Sequence, residues 1–182
     1  MNHLKLIKKA KSGDSEAFEE LLMLHGEQLY RTAFLYTGNR QDALDIVQET
    51  SYKAFVAIKT LKKNKYFTSW LIKILINSAY EFLNKKKRDI PLENIEQFLP
   101  QQDSTFSIEQ LDLFQAINNL RATYRDAIIL FYFQDLPIKE VANIMNIPEN
   151  TVKTYLHRGK EQLKVNLKGS EYGERKTISG SL

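Results

Sequence analysis

Apolar side chains recur along this chain at the spacing of an α-helix, and no segment alternates apolar and polar residues as a strand would. The first half of the chain predicts three helices. The first begins at Asp14, which can cap it, and ends at the break formed by Thr37, Gly38 and Asn39. The second covers about 41–61, and the third, apolar on nearly every side, covers about 68–84.

Residues 89–107 differ in character, since they contain two prolines and no basic residue, and they predict a flexible linker. After them the pattern predicts four more helices, over about 108–120, 124–133, 137–145 and 148–167. Residues 169–182 predict a frayed, disordered tail. The sequence therefore predicts an all-α protein with two small helical domains, 1–88 and 108–168, joined by the linker.

Composition excludes several classes of protein. The chain has 182 residues and no cysteine, which rules out disulfides, thiolate zinc sites and cysteine nucleophiles. No apolar run reaches the roughly 18 residues of a membrane-spanning helix, and the basic N-terminus lacks the apolar segment of a signal peptide. We therefore expect a cytoplasmic protein.

Charge is unevenly distributed along the chain. Residues 1–88 carry 16 Lys and Arg against 9 Asp and Glu, a net charge of +7. Residues 89–120 carry 6 acidic residues and no basic one, and residues 121–182 carry 10 basic against 7 acidic, a net charge of +3. Two basic lobes favour a polyanionic partner such as a nucleic-acid backbone, although solvated lysines on helix surfaces would give the same count.

The segment 137–163 has the spacing of a helix-turn-helix motif. A short amphipathic helix is marked by Ile138, Val141, Ala142 and Met145. Asn146 follows in a position that suits the left-handed conformation of a tight turn, and Pro148 suits the first turn of a new helix. The inward side of that second helix is marked by Val152, Leu156 and Leu163.

The opposite side of this second helix is cationic and rich in hydrogen-bonding groups, as a reader of the DNA major groove requires. Its members are Asn150, Lys153, Thr154, His157, Arg158, Lys160 and Glu161. The turn, the small Ala142 and this basic face together favour DNA binding over a pair of packed helices with a solvated surface.

Two patterns in the first lobe are suggestive but not specific. An acidic stripe is formed at helical spacing by Asp42, Asp45, Gln48 and Glu49. A basic loop of residues 62–65 precedes Tyr66, Phe67 and Trp70, a pairing of cations with aromatic rings that suits unstacked bases. Taken singly, the stripe could be a solvated face, and Phe67 and Trp70 could be core residues.

Several segments resemble bacterial sigma factors. Residues 42–50, Asp-Ala-Leu-Asp-Ile-Val-Gln-Glu-Thr, resemble a signature of sigma region 2, and residues 67–77 resemble the stretch that follows it. Residues 124–128, 139–142 and 151–158 resemble region 4. Nothing in the chain resembles the acidic N-terminal region or region 3 of housekeeping sigma factors, which points to the extracytoplasmic-function group.

The resemblance implies a protein that binds core RNA polymerase and directs promoter-specific initiation in response to an envelope or extracellular stress. The docking site for the β′ coiled coil would comprise Asp42, Asp45, Ile46, Val47, Gln48 and Glu49. The −10 element would be bound by Lys62, Lys63, Lys65, Tyr66, Trp70 and Asn77. The −35 element would be bound by Asn150, Thr151, Lys153, Thr154, His157, Arg158, Lys160 and Lys164.

The same resemblance implies further partners: the polymerase β subunit, promoter DNA and a membrane-anchored anti-sigma factor, with the free protein a monomer. It implies no cofactor, metal or catalytic residue. Some positions depart from the family pattern, and they leave the promoter sequence open: Leu75, Glu81, Asn84, Ala122, Asn150 and Tyr155.

Other interpretations remain open from the residues alone, and one of them, an adaptor that binds only proteins, leaves the cationic helix face unexplained. A helix-turn-helix repressor or activator with an N-terminal dimerisation or sensing domain would bind duplex operator DNA without polymerase. An enzyme is disfavoured, because His3, His25 and His157 are scattered and neither a phosphate-binding loop nor a nucleophile–base pair is visible.

Overall fold

The structure, a computed structural model, describes the backbone of residues 3–89 and 108–179 and the side chains of residues 3–88 and 112–167. These ranges are helical and contain no strand, which confirms the all-α prediction. The chain divides into two compact units, residues 1–101 and 102–182. The predicted linker lies almost entirely outside the described residues.

Within residues 3–89 the first unit contains four α-helices: α1 (His3–Lys11), α2 (Ser15–Thr37), α3 (Arg40–Ala57) and α4 (Phe67–Asp89). The Asp14 carboxylate caps α2 by accepting a hydrogen bond from the Ala17 amide at 3.0 Å, and Asn39 caps α3 in the same way. Between these helices Gly38 takes the left-handed conformation, with φ 63°. Two 3-10 turns, Ile58–Thr60 and Asn64–Tyr66, flank the basic loop before α4.

The sequence predicted three helices here, and α1 was missed. Its buried side chains, Leu6, Ile7 and Ala10, span little more than one helical turn, too short a stretch for periodicity to register. The second predicted helix also ends four residues early, because the chain tightens into the 3-10 turn after Ala57. Helix α4 continues past Asn84 to Asp89, through the basic run predicted to end it.

The core of the first unit forms where α2 packs against α1, α3 and α4. The largest side chains with almost no solvent exposure are Leu6, Ile7, Leu21, Leu29, Ile46, Phe67, Leu71, Ile72 and Leu75. Because α3 and α4 each direct one side into this core, their other sides are fixed in orientation toward solvent.

The second unit contains α5 (Ile108–Asn118), α6 (Ala122–Ile128), α7 (Ile138–Met145) and α8 (Glu149–Ser179), with a π-helical turn, Ile129–Phe133, extending α6. The predicted helix-turn-helix is confirmed in α7 and α8. Asn146 adopts φ 54° and ψ 48°, and its amide and that of Ile147 both donate to the carbonyl of Ala142. The backbone of α8 continues to Ser179, beyond Gly169, where the sequence predicted fraying.

Candidate nucleic-acid and partner surfaces

The first part of α8 separates buried from exposed side chains as predicted. Val152 is fully buried and Leu156 is 6% exposed, and both face the interior of the second unit. Thr151 is half-buried. The remaining predicted DNA-binding residues of α8 are all exposed: Asn150, Lys153, Thr154, His157, Arg158, Lys160 and Lys164.

Gly159 is a buried position on α8 that the sequence analysis did not single out. A Cβ built on Gly159 would lie 3.0 Å from Cγ1 and 3.3 Å from Cδ1 of Ile128 on α6. The two helices therefore approach closely at this point, and the approach sets the angle at which the cationic face of α8 is presented. A lone glycine within a helical pattern was the available signal.

Arg158 is exposed but not unpartnered. One guanidinium nitrogen lies 3.5 Å from the Tyr124 hydroxyl on α6, and the Tyr124 ring also contacts Tyr155 and Arg121. The hydrogen bond from Arg158 lowers the pKa of the Tyr124 phenol below its ordinary value. Lys164 is likewise paired, with Glu161 at 3.2 Å, and this hydrogen bond lowers the pKa of Glu161.

The acidic stripe on α3 is only partly a surface. Asp45, Gln48 and Glu49 are exposed, whereas Ile46 is 1% exposed and belongs to the core. The Asp42 side chain is 15% exposed and accepts a hydrogen bond from Lys86 on α4 at 2.5 Å. Positions 42 and 46 are one turn apart on the side of α3 that faces α4, so this geometry assigns both to helix packing.

Beside the acidic residues lies an exposed apolar row that the sequence analysis missed. Leu44, Tyr52 and Val56 are 44%, 67% and 65% exposed, and with Gln48 they recur every four residues along α3. The polar stripe and this row form one mixed surface. Such surfaces are typical of protein interfaces rather than of purely solvated faces.

Glu49 is tied to α4 through Lys53. The Lys53 ammonium lies 3.3 Å from Glu49 and 2.6 Å from Glu81, which places one cation between two carboxylates. The hydrogen bond with Glu81 raises the pKa of Lys53 above its ordinary value. The network joins the mixed surface of α3 to α4.

The basic loop presents cations next to aromatic rings. Lys62, Lys63 and Lys65 are exposed, and the Lys65 ammonium lies 4.9 Å from the centroid of the Tyr66 ring. Phe67 is fully buried, so it is a core residue, whereas Trp70 is half-buried.

The half-buried Trp70 begins a row of side chains along one side of α4. Lys73 and Asn77 follow it at helical spacing, and both are exposed. An aromatic ring, a cation and an amide therefore share one side of α4, close in sequence to the basic loop. Lys73 is an addition to the residues predicted from the sequence.

The two histidines of the first unit, His3 and His25, lie against each other. The Nε2 atoms of His3 and His25 lie 3.1 Å apart, and burial together with the charge of His25 lowers the pKa of His3. Within residues 3–88 and 112–167, no three His, Cys, Asp or Glu side chains come together as a metal site would require. No helix in the described part of the chain is long and apolar enough to cross a membrane.

Two family models match the chain. "Sigma-70 region 2" matches residues 21–89, and "Sigma-70, region 4" matches residues 110–163. The first match includes α3, the basic loop and α4, and the second includes the helix-turn-helix. The surfaces described above therefore lie within matched regions, except for Lys164 on α8, which lies one residue beyond the second match.

The chain is similar in sequence to known RNA polymerase sigma factors. The chain is 33% identical over 180 residues to the ECF RNA polymerase sigma factor SigW of Bacillus subtilis, covering 90% of this chain and 96% of that protein. It is 37% identical over 145 residues to the RNA polymerase sigma factor SigV of the same organism, covering 79% and 86%.

Solved structures agree at the level of fold. The sigma factor RpoE of Bartonella quintana, in complex with the anti-sigma factor NepR, has a TM-score of 0.70 at 26% identity over 83% of this chain and 96% of that one. CnrH, in complex with the cytosolic domain of CnrY, has a TM-score of 0.71 at 21% identity, with 92% and 97% covered. The chain therefore belongs to the extracytoplasmic-function group of the sigma-70 family, the non-enzymatic initiation factors that act with RNA polymerase to direct transcription.

Proposed function

We propose that three surfaces of this sigma factor divide the work of initiation. The exposed part of α3 docks core polymerase, the basic loop and α4 capture the opened −10 element, and α8 reads the −35 element. The observation that carries the proposal is the outward row of cationic and hydrogen-bonding side chains on α8, which follows directly from a helix-turn-helix turn.

At the −35 element, α8 would lie in the major groove with Lys153, Thr154 and His157 near base edges. Arg158 offers the planar fork that pairs with guanine, and one of its guanidinium nitrogens lies 3.5 Å from the Tyr124 hydroxyl. Lys160 and Lys164 lie further along the helix and would contact phosphates, which position the protein without reading sequence.

At the −10 element, the protein would hold a base that has left the duplex. Unstacking a base costs a few kcal/mol, which a pocket or stacking surface must offset. The half-buried Trp70 and Tyr66 rings offer stacking surface, and Asn77 offers an amide for a base edge. The loop lysines would follow the displaced backbone.

For polymerase docking, we propose Asp45, Gln48 and Glu49 together with the apolar row beside them. Val47 is half-buried and borders this surface. The contributions of Asp42 and Ile46 would be indirect, because Asp42 is paired within the unit and Ile46 is buried. A mixed surface of this kind supports a protein partner, since apolar contacts supply affinity and carboxylates supply orientation.

We further propose that a membrane-anchored anti-sigma factor holds this protein inactive, as a monomer in the cytoplasm, until an envelope or extracellular stress releases it. Support comes from RpoE of Bartonella quintana, whose structure contains its anti-sigma factor. Co-purification from cells before and after envelope stress tests this regulation directly.

Run-off transcription with purified core polymerase on a promoter library tests the proposed function. We expect specific transcripts only when the protein and core polymerase are both present. Asn77→Ala, and Lys62→Ala combined with Lys63→Ala, should leave closed complexes intact but reduce permanganate reactivity of the −10 region. Normal strand opening in both variants would refute the proposed capture of the −10 base.

A further inference from the structure

We infer that Lys11, the last residue of α1, is a positioning residue that holds the basic loop in the shape needed to engage opened promoter DNA. The inference rests on the proposed role of the loop at the −10 element. It adds a residue far away in sequence that neither the motifs nor the family-model match at 21–89 include.

The contact itself joins distant parts of the first unit. The Lys11 ammonium donates to the carbonyl of Leu61 at 2.6 Å and lies 3.4 Å from the side-chain oxygen of Asn64. These partners are 50 and 53 residues away along the chain, and they stand on either side of Lys62 and Lys63. One half-buried ammonium group therefore bridges both ends of the exposed segment.

Helix α1 can act as a rigid support for this bridge. Leu6 and Ile7 are fully buried and Ala10 is 3% exposed, so three side chains anchor the short helix to the core. The bridge extends from the next residue. A hydrogen bond from a charged donor is stronger than a neutral one, and its geometry is fixed here by a packed helix rather than by another loop.

The loop needs such a support because its own charges oppose order. Three exposed lysines within four positions repel one another, and an exposed loop has several competing conformations. Its backbone is closed by the hydrogen bond from the Leu61 amide to Ile58 at one end and from the Tyr66 amide to Lys63 at the other. Lys11 fixes the stretch between these two turns.

A purely electrostatic role is the main competing explanation, because any lysine near the loop would attract DNA. Lys8 provides the matched control: it lies on the same helix, carries the same charge and is exposed. Lys8→Met removes a cation without touching the bridge. Lys11→Met removes both a cation and the bridge. Lys11→Arg retains a charged donor that can reach the same carbonyl.

The first measurement uses the free, full-length protein. Amide hydrogen exchange of Tyr66 and Phe67, followed by NMR, should accelerate by about 10- to 150-fold in Lys11→Met, the factor that corresponds to losing one hydrogen bond to a charged group. Exchange should be unchanged in Lys8→Met and largely restored in Lys11→Arg. Unchanged exchange in Lys11→Met would overturn the inference.

The second measurement uses the complex with core polymerase on a promoter. Lys11→Met should reduce permanganate reactivity at the −10 region while closed complexes form normally. Lys8→Met should change neither the permanganate reactivity nor the closed complexes. If Lys11→Met opens promoters normally while the double variant of Lys62 and Lys63 does not, the inference fails and the proposed function stands. If Lys11→Met, Lys8→Met and the double variant of Lys62 and Lys63 all open promoters normally, the proposed role of the loop at the −10 element fails as well.

Discussion

Replacing Gly159 with alanine tests the close approach of α8 to α6. Within a helix, alanine is favoured over glycine by about 0.8–1.0 kcal/mol, so Gly159→Ala would stabilise the protein if nothing opposed the methyl group. The structure places that methyl 3.0 Å from Cγ1 of Ile128, closer than ordinary carbon–carbon contact. The isoleucine must shift, and overpacking of this kind costs about 1–3 kcal/mol.

The gain in helix propensity and the cost of overpacking oppose each other in Gly159→Ala. Together they predict a change between no effect and a loss of about 2 kcal/mol in the free energy of unfolding of the second unit. Gly26 supplies the matched control, because it lies within α2 and nothing lies within 4 Å of the Cβ that alanine would add. Gly26→Ala should therefore stabilise the first unit by about 0.8–1.0 kcal/mol.

Urea unfolding measures both changes in the intact chain. The chain has one tryptophan, Trp70, so its fluorescence follows the first unit, whereas helical circular dichroism follows both. Gly26→Ala should shift the fluorescence transition upward. If Gly159→Ala stabilises the second unit as much as Gly26→Ala stabilises the first unit, α8 and α6 are not in close contact at Ile128 and the reasoning is wrong.

Three further predictions concern binding and pH. Asp45→Lys combined with Glu49→Lys should abolish co-purification with core polymerase while helical circular dichroism stays native; retained binding would exclude this part of α3 from docking. Arg158→Ala should flatten the base preference at one or two −35 positions, since a bidentate guanine contact discriminates by about 1–3 kcal/mol. Lys164→Ala should instead weaken binding to all sites alike. If Arg158→Ala weakens every member of a set of single-base promoter variants equally, Arg158 does not read a base. Because the folded state lowers the pKa of His3 below 6.5, the unfolded state binds more protons near that pH. The first unit should therefore lose stability as pH falls through about 6.5 and below, and His3→Gln should reduce this dependence in urea unfolding followed by Trp70 fluorescence.

The helix-turn-helix could be predicted from the sequence because its signals are local. The left-handed conformation of Asn146 and the inward positions of Val152 and Leu156 depend on neighbours within one or two turns. Residue type and spacing carry that information directly.

The features that were missed depend on contacts between distant segments. Asp42 belongs by spacing to an acidic surface, yet its partner Lys86 is 44 residues away. Arg158 contacts Tyr124 on α6, and Gly159 is buried against Ile128 on α6. The spacing of apolar residues along α8 carries no information about which residues of α6 lie against it. Helix α1 escaped notice for a different reason, since three buried side chains on nine residues give too little pattern.

The position of Lys53 between Glu49 and Glu81 has a thermodynamic consequence for the first unit. A partner that takes Glu49 away from Lys53 changes the electrostatic environment of Glu81 on α4. Linkage then requires reciprocity: if docking at α3 alters the affinity of α4 for DNA by some factor, DNA at α4 alters the affinity of docking by the same factor. Polymerase affinity measured with and without promoter DNA, and promoter affinity measured with and without polymerase, would each give that shared factor.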